Sequence, residues 1–152
     1  MTIIVKDGRF HAPAQQEQND FEQLNKDGAI AATILSVDLK SDTLPEKLDL
    51  IPESVRFIRI EFPTSADGRG FSLAKALREK GFSGHLRAAG HMLADQYPLA
   101  LRSGFDDVEI SDELAARQPE EQWAEALIRI KDTYQDRLLG ARGKTQNTMQ
   151  VA

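Results

Sequence analysis

Two arginines set beside glycine carry most of the chemistry that this chain offers. In Glu61-Phe62-Pro63-Thr64-Ser65-Ala66-Asp67-Gly68-Arg69-Gly70-Phe71-Ser72, glycines flank Arg69 just ahead of a helical pattern. Glycine lets backbone N–H groups approach an anion closely, and a helix N-terminus adds positive potential there. The guanidinium of Arg69 is a forked donor matched to phosphate, sulfate or carboxylate. Asp67, Gly68, Arg69, Gly70 and Ser72 are therefore candidate ligand-binding residues. The competing reading is a tight turn, with Asp67 capping the helix and Arg69 paired to a neighbouring carboxylate.

The second segment is Arg87-Ala88-Ala89-Gly90-His91-Met92-Leu93-Ala94-Asp95-Gln96. Arg87 falls on a strand, Gly90 permits a sharp exit from it, and Asp95 and Gln96 follow, so these four join the ligand-binding candidates. An imidazole is a usable proton donor or acceptor, so His91, with Glu61, is a candidate acid or base. An exposed or hydrogen-bonded structural histidine is the more common occupant of such a loop, and Asp95 reads better as a helix N-cap than as a base. Ser111-Asp112-Glu113 reads as the start of a helix. Asp38, Glu61 and Glu109 lie near successive strand ends, but nothing in their spacing makes them converge, so no metal site is expected. The chain has no complete Walker or dinucleotide fingerprint, nucleophile elbow or triad, and no cofactor motif is evident.

Composition narrows the classes further. The 152 residues include no cysteine, which excludes thiol nucleophiles, disulfides and cysteine-held clusters within the chain. A net charge of -5 and a pI near 5.2 give no general reason to bind nucleic acid or an anionic membrane. The N-terminus lacks a signal-peptide run and no apolar stretch approaches ~20 residues, so a cytoplasmic protein is expected.

The elements that position these residues alternate in type. Residues 1–10 read as a hairpin turning at Asp7-Gly8. Residues 11–20 read as a surface connection, followed by a short helix around Phe21 and Leu24 that Gly28 ends. Strands are expected at Ala32–Val37, Val55–Phe62, His85–Ala89 and Asp107–Ile110, with helices between them. One helix runs from about Ser72 to Lys80 and stops at Gly81, and another is capped by Asp95 and ends at Gly104. A last helix begins near Pro119 and places Trp123, Leu127, Ile130 and Tyr134 on one face. Ala76-Leu77-Arg78 with Gly81-Phe82 returns as Ala100-Leu101-Arg102 with Gly104-Phe105, a period that matches one helix-plus-strand unit. Residues 1–139 are thus expected to form one α/β domain, with the βα units over 32–139 and a flexible polar tail over 140–152.

Alternation along the strands assigns their faces. Ile58, Ile60 and Phe62 oppose Arg59 and Glu61. Leu86 and Ala88 oppose His85 and Arg87, and Val108 and Ile110 oppose Glu109. One face should lie under helices while the other holds Arg59, Glu61, Arg87 and Glu109. Those charges must pair, bind a ligand or face water. The expected architecture is a set of parallel βα repeats in an open, half-barrel-like sheet with helices mainly on one face. A small doubly wound sheet is the alternative. An exposed sheet face also invites a second subunit, so a homodimer is expected.

The series Asp67-Gly68-Arg69-Gly70-Phe71-Ser72-Leu73-Ala74, Leu77-Arg78, Gly81-Phe82, Leu86-Arg87-Ala88-Ala89-Gly90, Asp95-Gln96 and Arg102-Ser103-Gly104-Phe105-Asp106 resembles the bacterial domain of unknown function 934 over residues 60–110. The chain departs from that pattern at Thr64-Ser65-Ala66, where a bulkier residue is expected. It departs again at His91, where an acidic residue is usual, which weighs against catalysis there. The resemblance implies a role beside sulfite reductase in sulfate assimilation, where members are described as oxidoreductases. With no redox motif in the chain, the expectation is an accessory or adaptor protein that binds an oxyanion, a cofactor carboxylate or the reductase. A small enzyme acting on an anionic metabolite is the alternative.

Overall fold

The structure is a computed structural model that describes residues 1–13, 19–26, 30–31 and 33–129. Its first strands, β1 (Thr2–Lys6) and β2 (Arg9–His11), form the expected hairpin. Asp7 and Gly8 turn it with φ of 54° and 73°, the paired left-handed geometry that Asp-Gly tolerates. A short helix, α1 (Phe21–Leu24), is capped by Asp20, whose carboxylate accepts the Glu22 N–H. Gly28, expected to end that helix, lies outside the described residues.

Strand β3 occupies Ser36–Lys40, later than the expected Ala32–Val37. The alternating pattern that fits a sheet begins at Ser36, with Val37 and Leu39 fully buried, while Leu35 is 64% exposed. A 3-10 segment at Pro45–Leu50 follows, which periodicity did not indicate, and its Leu48 enters the core. Then come β4 (Phe57–Phe62), α2 (Arg69–Glu79), β5 (His85–Gly90), α3 (Tyr97–Ser103) and β6 (Asp107–Ser111). Helix α2 starts at Arg69, a turn before Ser72. Phe82 N–H donates to Leu77 O across Gly81, whose φ is 97°, as the expected left-handed stop requires.

Asp95 does not cap α3. The helix begins at Tyr97 after a 3-10 turn at Ala94–Gln96, and the side chain of Gln96 accepts the Leu93 N–H, leaving Asp95 exposed. Pro98 still falls in the first turn. Helix α4 (Asp112–Arg117) is capped by Ser111, whose Oγ accepts the Leu114 N–H, so Ser111-Asp112-Glu113 is indeed a helix start. A last helix, α5, runs through 120–129, with Trp123 fully buried and its Nε1 donating to Gln118 O. Ile130, Tyr134 and the tail over 140–152 lie outside the described residues.

The sheet has six strands in the order β2-β1-β6-β5-β4-β3. Strands β3 to β6 are parallel and adjacent in chain order, and β1 joins β6 antiparallel. Strands that add in one direction have no switch point, so the doubly wound alternative is excluded. The sheet is open, as a half-barrel-like arrangement requires, and the β1–β2 hairpin extends it beyond β6 rather than standing apart. Ile58, Ile60, Leu86, Ala88, Val108 and Ile110 form one core with Leu73, Leu77, Tyr97, Ala100 and Trp123 from the helices. Among the described residues, no helix is long and apolar enough to cross a membrane.

At the strands' N-terminal ends, Arg78 donates to the carbonyls of Gly104, Phe82 and Gly84 and pairs with Asp106 at 3.0 Å. The echo of this motif at Arg102 is exposed instead. The repeat therefore preserves the helix-to-strand turn but not the role of its arginine.

Candidate functional site

Strand register lays the polar face out in rows. Asp38, Arg59, Arg87 and Asp107 are successive partners across β3 to β6, and Lys40, Glu61, Ala89 and Glu109 form the next row. The face foreseen as charged is charged, and its charges pair with one another.

Arg59 is shared by three carboxylates. It reaches Glu109 at 2.6 Å, Glu61 at 3.3 Å and Asp38 at 3.9 Å. Glu109 is two strands away, so the side chain of Arg59 must cross β5 beside Ala89. Ala89 is 1% exposed and presents only a methyl group, leaving room for that crossing. Three carboxylates against one guanidinium leave excess negative charge. Burial pushes Asp38 up to about 6, Arg59 pulls the other way, and Glu61 and Glu109 add to the rise.

Arg87 is held by one carboxylate. Its Nε and Nη2 donate to Asp107 at 2.8 and 3.0 Å, with side chains only 9% and 2% exposed. His85 Nε2 also meets Asp107, at 2.8 Å. Burial alone would raise Asp107, but hydrogen bonds from His85 and Arg87 hold it below the ordinary carboxylate range. An ionised carboxylate only accepts, so His85 donates through Nε2. The ring of His85 stacks on Phe57 at 5.3 Å, and Arg87 lies over the same Phe57 ring at 5.1 Å.

The loop candidates lie at the other end of the strands. Arg69 is 63% exposed and forks onto Asp67, Nε to Oδ1 at 3.0 Å and Nη2 to Oδ2 at 2.8 Å. The Arg69 N–H and Ser41 Oγ also donate to that carboxylate. The donors from Arg69 and then Ser41 hold Asp67 well below its ordinary range. Gly70 lets α2 approach β4, since a Cβ there would meet the Phe62 ring at 2.4 Å. Gly90 has φ of 115°, and a Cβ would press on Phe62 O at 2.5 Å. Gly68 is exposed and Ser72 faces out from α2.

Gln96 Nε2 donates to Ser65 O at 2.5 Å, tying the two loops together. Asp95 stands 86% exposed and 3.7 Å from Arg129. His91 is exposed, and its backbone N–H donates to Phe62 O. The structure therefore unites Asp67 with Arg69, and Glu61 with Arg59, Asp38 and Glu109, but places His91 with neither group. The residues that sequence reasoning missed are His85, Asp107 and Phe57. Alternation had already set His85 on the polar face, and the β5–β6 register was the further signal that Asp107 lies beside it. Among the described residues, no group of three or more His, Asp or Glu is arranged to hold a metal ion.

A family model described as a bacterial protein of unknown function (DUF934) matches residues 36–143, more than half of the chain. No curated protein and no solved structure matches.

Proposed function

This chain belongs to the bacterial DUF934 family, and on that premise we propose that it is an accessory or adaptor protein of assimilatory sulfite reduction that docks sulfite reductase. The observation behind the adaptor reading is that both arginines suited to gripping an anionic substrate are neutralised within the fold, Arg69 by Asp67 and Arg87 by Asp107. To clamp a substrate through the same fork, either arginine would first have to release its own carboxylate. Charged groups at the strand ends and loops instead suit recognition of another protein, where they set orientation and association rate. The link to sulfite reduction rests on the resemblance carried by the Asp-Gly-Arg-Gly and Arg-Ala-Ala-Gly segments.

Growth of a deletion strain on sulfate, sulfite or sulfide tests the reading. Sulfide should rescue the strain and sulfite should not, and wild-type protein should restore growth on all three. Co-purification with the reductase, without turnover by this chain alone, should accompany that rescue. Normal growth of the deletion strain on sulfite overturns the assignment. Light scattering separates a docked reductase from a homodimer across the polar face, the competing occupant.

The small-enzyme reading has one observation in its favour. Asp38, raised to about 6, borders a cavity of about 210 Å³ that Asp20, Lys40 and Glu61 also line. A carboxyl poised near neutral pH is a usable acid or base. Asp38→Asn should then abolish turnover of an anionic metabolite while leaving co-purification intact.

A further inference from the structure

A cleft of about 420 Å³ opens where the chain enters β4 and β5, at the end of the strands away from the Asp67–Arg69 loop. That volume falls within the roughly 300–1,000 Å³ of small-molecule sites. Its lining reaches the core at Ile58 and Leu77, and Ile51, Pro52 and Phe82, each only partly buried, supply apolar walls. Glu53, Arg56 and Ser83 also line it and are exposed, so the cleft is open to solvent.

Two opposite charges in this cleft are unspent. Arg56 uses Nη1 to donate to the Glu53 carbonyl at 2.8 Å, and its Nε and Nη2 make no bond among the described residues. The Glu53 carboxylate pairs with no cation among the described residues, Arg56 included. The cleft's other two charges, Asp49 and Lys80, neutralise each other. Ser83 and Gly84 add their N–H groups and the Ser83 hydroxyl, none of them bonded among the described residues. The turn that carries these donors is fixed. Arg78 holds the carbonyls of Phe82 and Gly84, and a Cβ on Gly84 would meet Arg56 O at 2.3 Å. The N–H groups are therefore in place before any ligand arrives. A lone surface charge is ordinary, but here an unpaired cation and an unpaired anion share one apolar-walled cleft.

We propose that this cleft binds a free apolar α-amino acid. Its carboxylate meets Arg56 and the Ser83 and Gly84 N–H groups, its ammonium meets Glu53, and its side chain lies against Ile51, Pro52 and Phe82. Charge balance selects the class. A simple carboxylate answers Arg56 but is repelled by Glu53, a simple amine has the opposite fault, and a zwitterion satisfies both. The apolar walls add burial of the side chain to these polar contacts. No covalent bond forms or breaks. The site lies apart from the polar sheet face and does not depend on a role in sulfite reduction.

L-Leucine is the probe, followed through the backbone amide NMR signals of the intact chain at neutral pH. The Ser83 and Gly84 signals should move saturably with millimolar leucine, while that of Arg69, at the far end of the strands, stays put. Glycine, isocaproate (leucine without its amine) and isoamylamine (leucine without its carboxylate) should each bind about tenfold more weakly. Glu53→Gln should lower leucine to the level of isocaproate, and Arg56→Gln to that of isoamylamine. If a variant does not fold, the ligand series on the wild-type chain decides alone. Any of the three analogues matching leucine, undiminished binding in either folded variant, or no saturable shift overturns the site. None of these outcomes bears on growth with sulfite or sulfide.

Discussion

Arg69 and Arg87 each fork onto an aspartate with nearly the same geometry: 3.0 and 2.8 Å in the loop, 2.8 and 3.0 Å on the sheet. Their surroundings differ. Arg69 is 63% exposed at the start of α2, whereas Arg87 is 9% exposed between neighbouring strands. In water the attraction of such a pair is largely screened, and the entropy of holding a long side chain offsets the rest. Away from water the pair has already been desolvated, and removing one partner strands the other. Identical hydrogen bonds therefore mark a conformational preference in the loop and a structural requirement on the sheet.

The largest effect should come from breaking the buried member. Arg87→Ala leaves Asp107 2% exposed with only His85 to answer its charge. It should cost about 3–5 kcal/mol, read as a fall in melting temperature of roughly 10 °C. A fall no greater than that of Arg69→Ala would dissolve the contrast.

Next is Ala89→Leu, which fills the space through which Arg59 crosses β5 to Glu109. Overpacking of this kind costs about 1–3 kcal/mol. Unchanged stability would mean that Arg59 has another path.

Asp38→Asn sharpens the comparison by changing sign. The folded state raises Asp38 from 3.8 to about 6, so it favours the protonated form. The stabilisation this confers is complete below the unfolded value and is lost as pH rises through the folded one. The neutral asparagine escapes that loss. At pH 7.5 the variant should be more stable by about 1 kcal/mol, or roughly 2–4 °C, and the gain should vanish near pH 4. A variant less stable at pH 7.5 would show that the Arg59 attraction outweighs burial.

Arg69→Ala should change least, with no resolvable shift in melting temperature. Its loss matters only if the loop meets a partner, and complementation on sulfite reads that directly.

Much of this arrangement was legible in the chain. The period-2 patterns of β4, β5 and β6 placed Arg59, Glu61, His85, Arg87 and Glu109 on the polar face correctly, because a strand offers only two directions. The open α/β sheet followed from single-sided apolar strands separated by helical segments. Less legible were the partners of those side chains. Arg87 was visible as a charged residue, but its choice of Asp107 depends on the β5–β6 register, which no local pattern encodes. Asp95 looked like a cap because the 3-10 turn at Ala94–Gln96 was not foreseen, and there Gln96 satisfies the Leu93 N–H. His91 attracted attention as the histidine in a glycine-bearing loop, while His85, on the strand itself, is the one set beside a buried carboxylate.

The placement of β1 bears on how the molecule is made. Ile3 pairs with Ile110 and Val5 with Val108, and the Phe10 N–H reaches Glu120, so this hairpin, which precedes β3 to β6 in the chain, finds its partners only after the rest of the sheet exists. The βα units from β3 to β6 join neighbours in sequence and can assemble as they emerge from the ribosome, at modest loop-closure entropy. The opening hairpin must wait, its apolar Ile3, Ile4 and Val5 uncovered, until β6 offers an edge. Docking of that hairpin is then the late, long-range step of folding, and until it occurs β6 presents an open edge to any other strand in the cell.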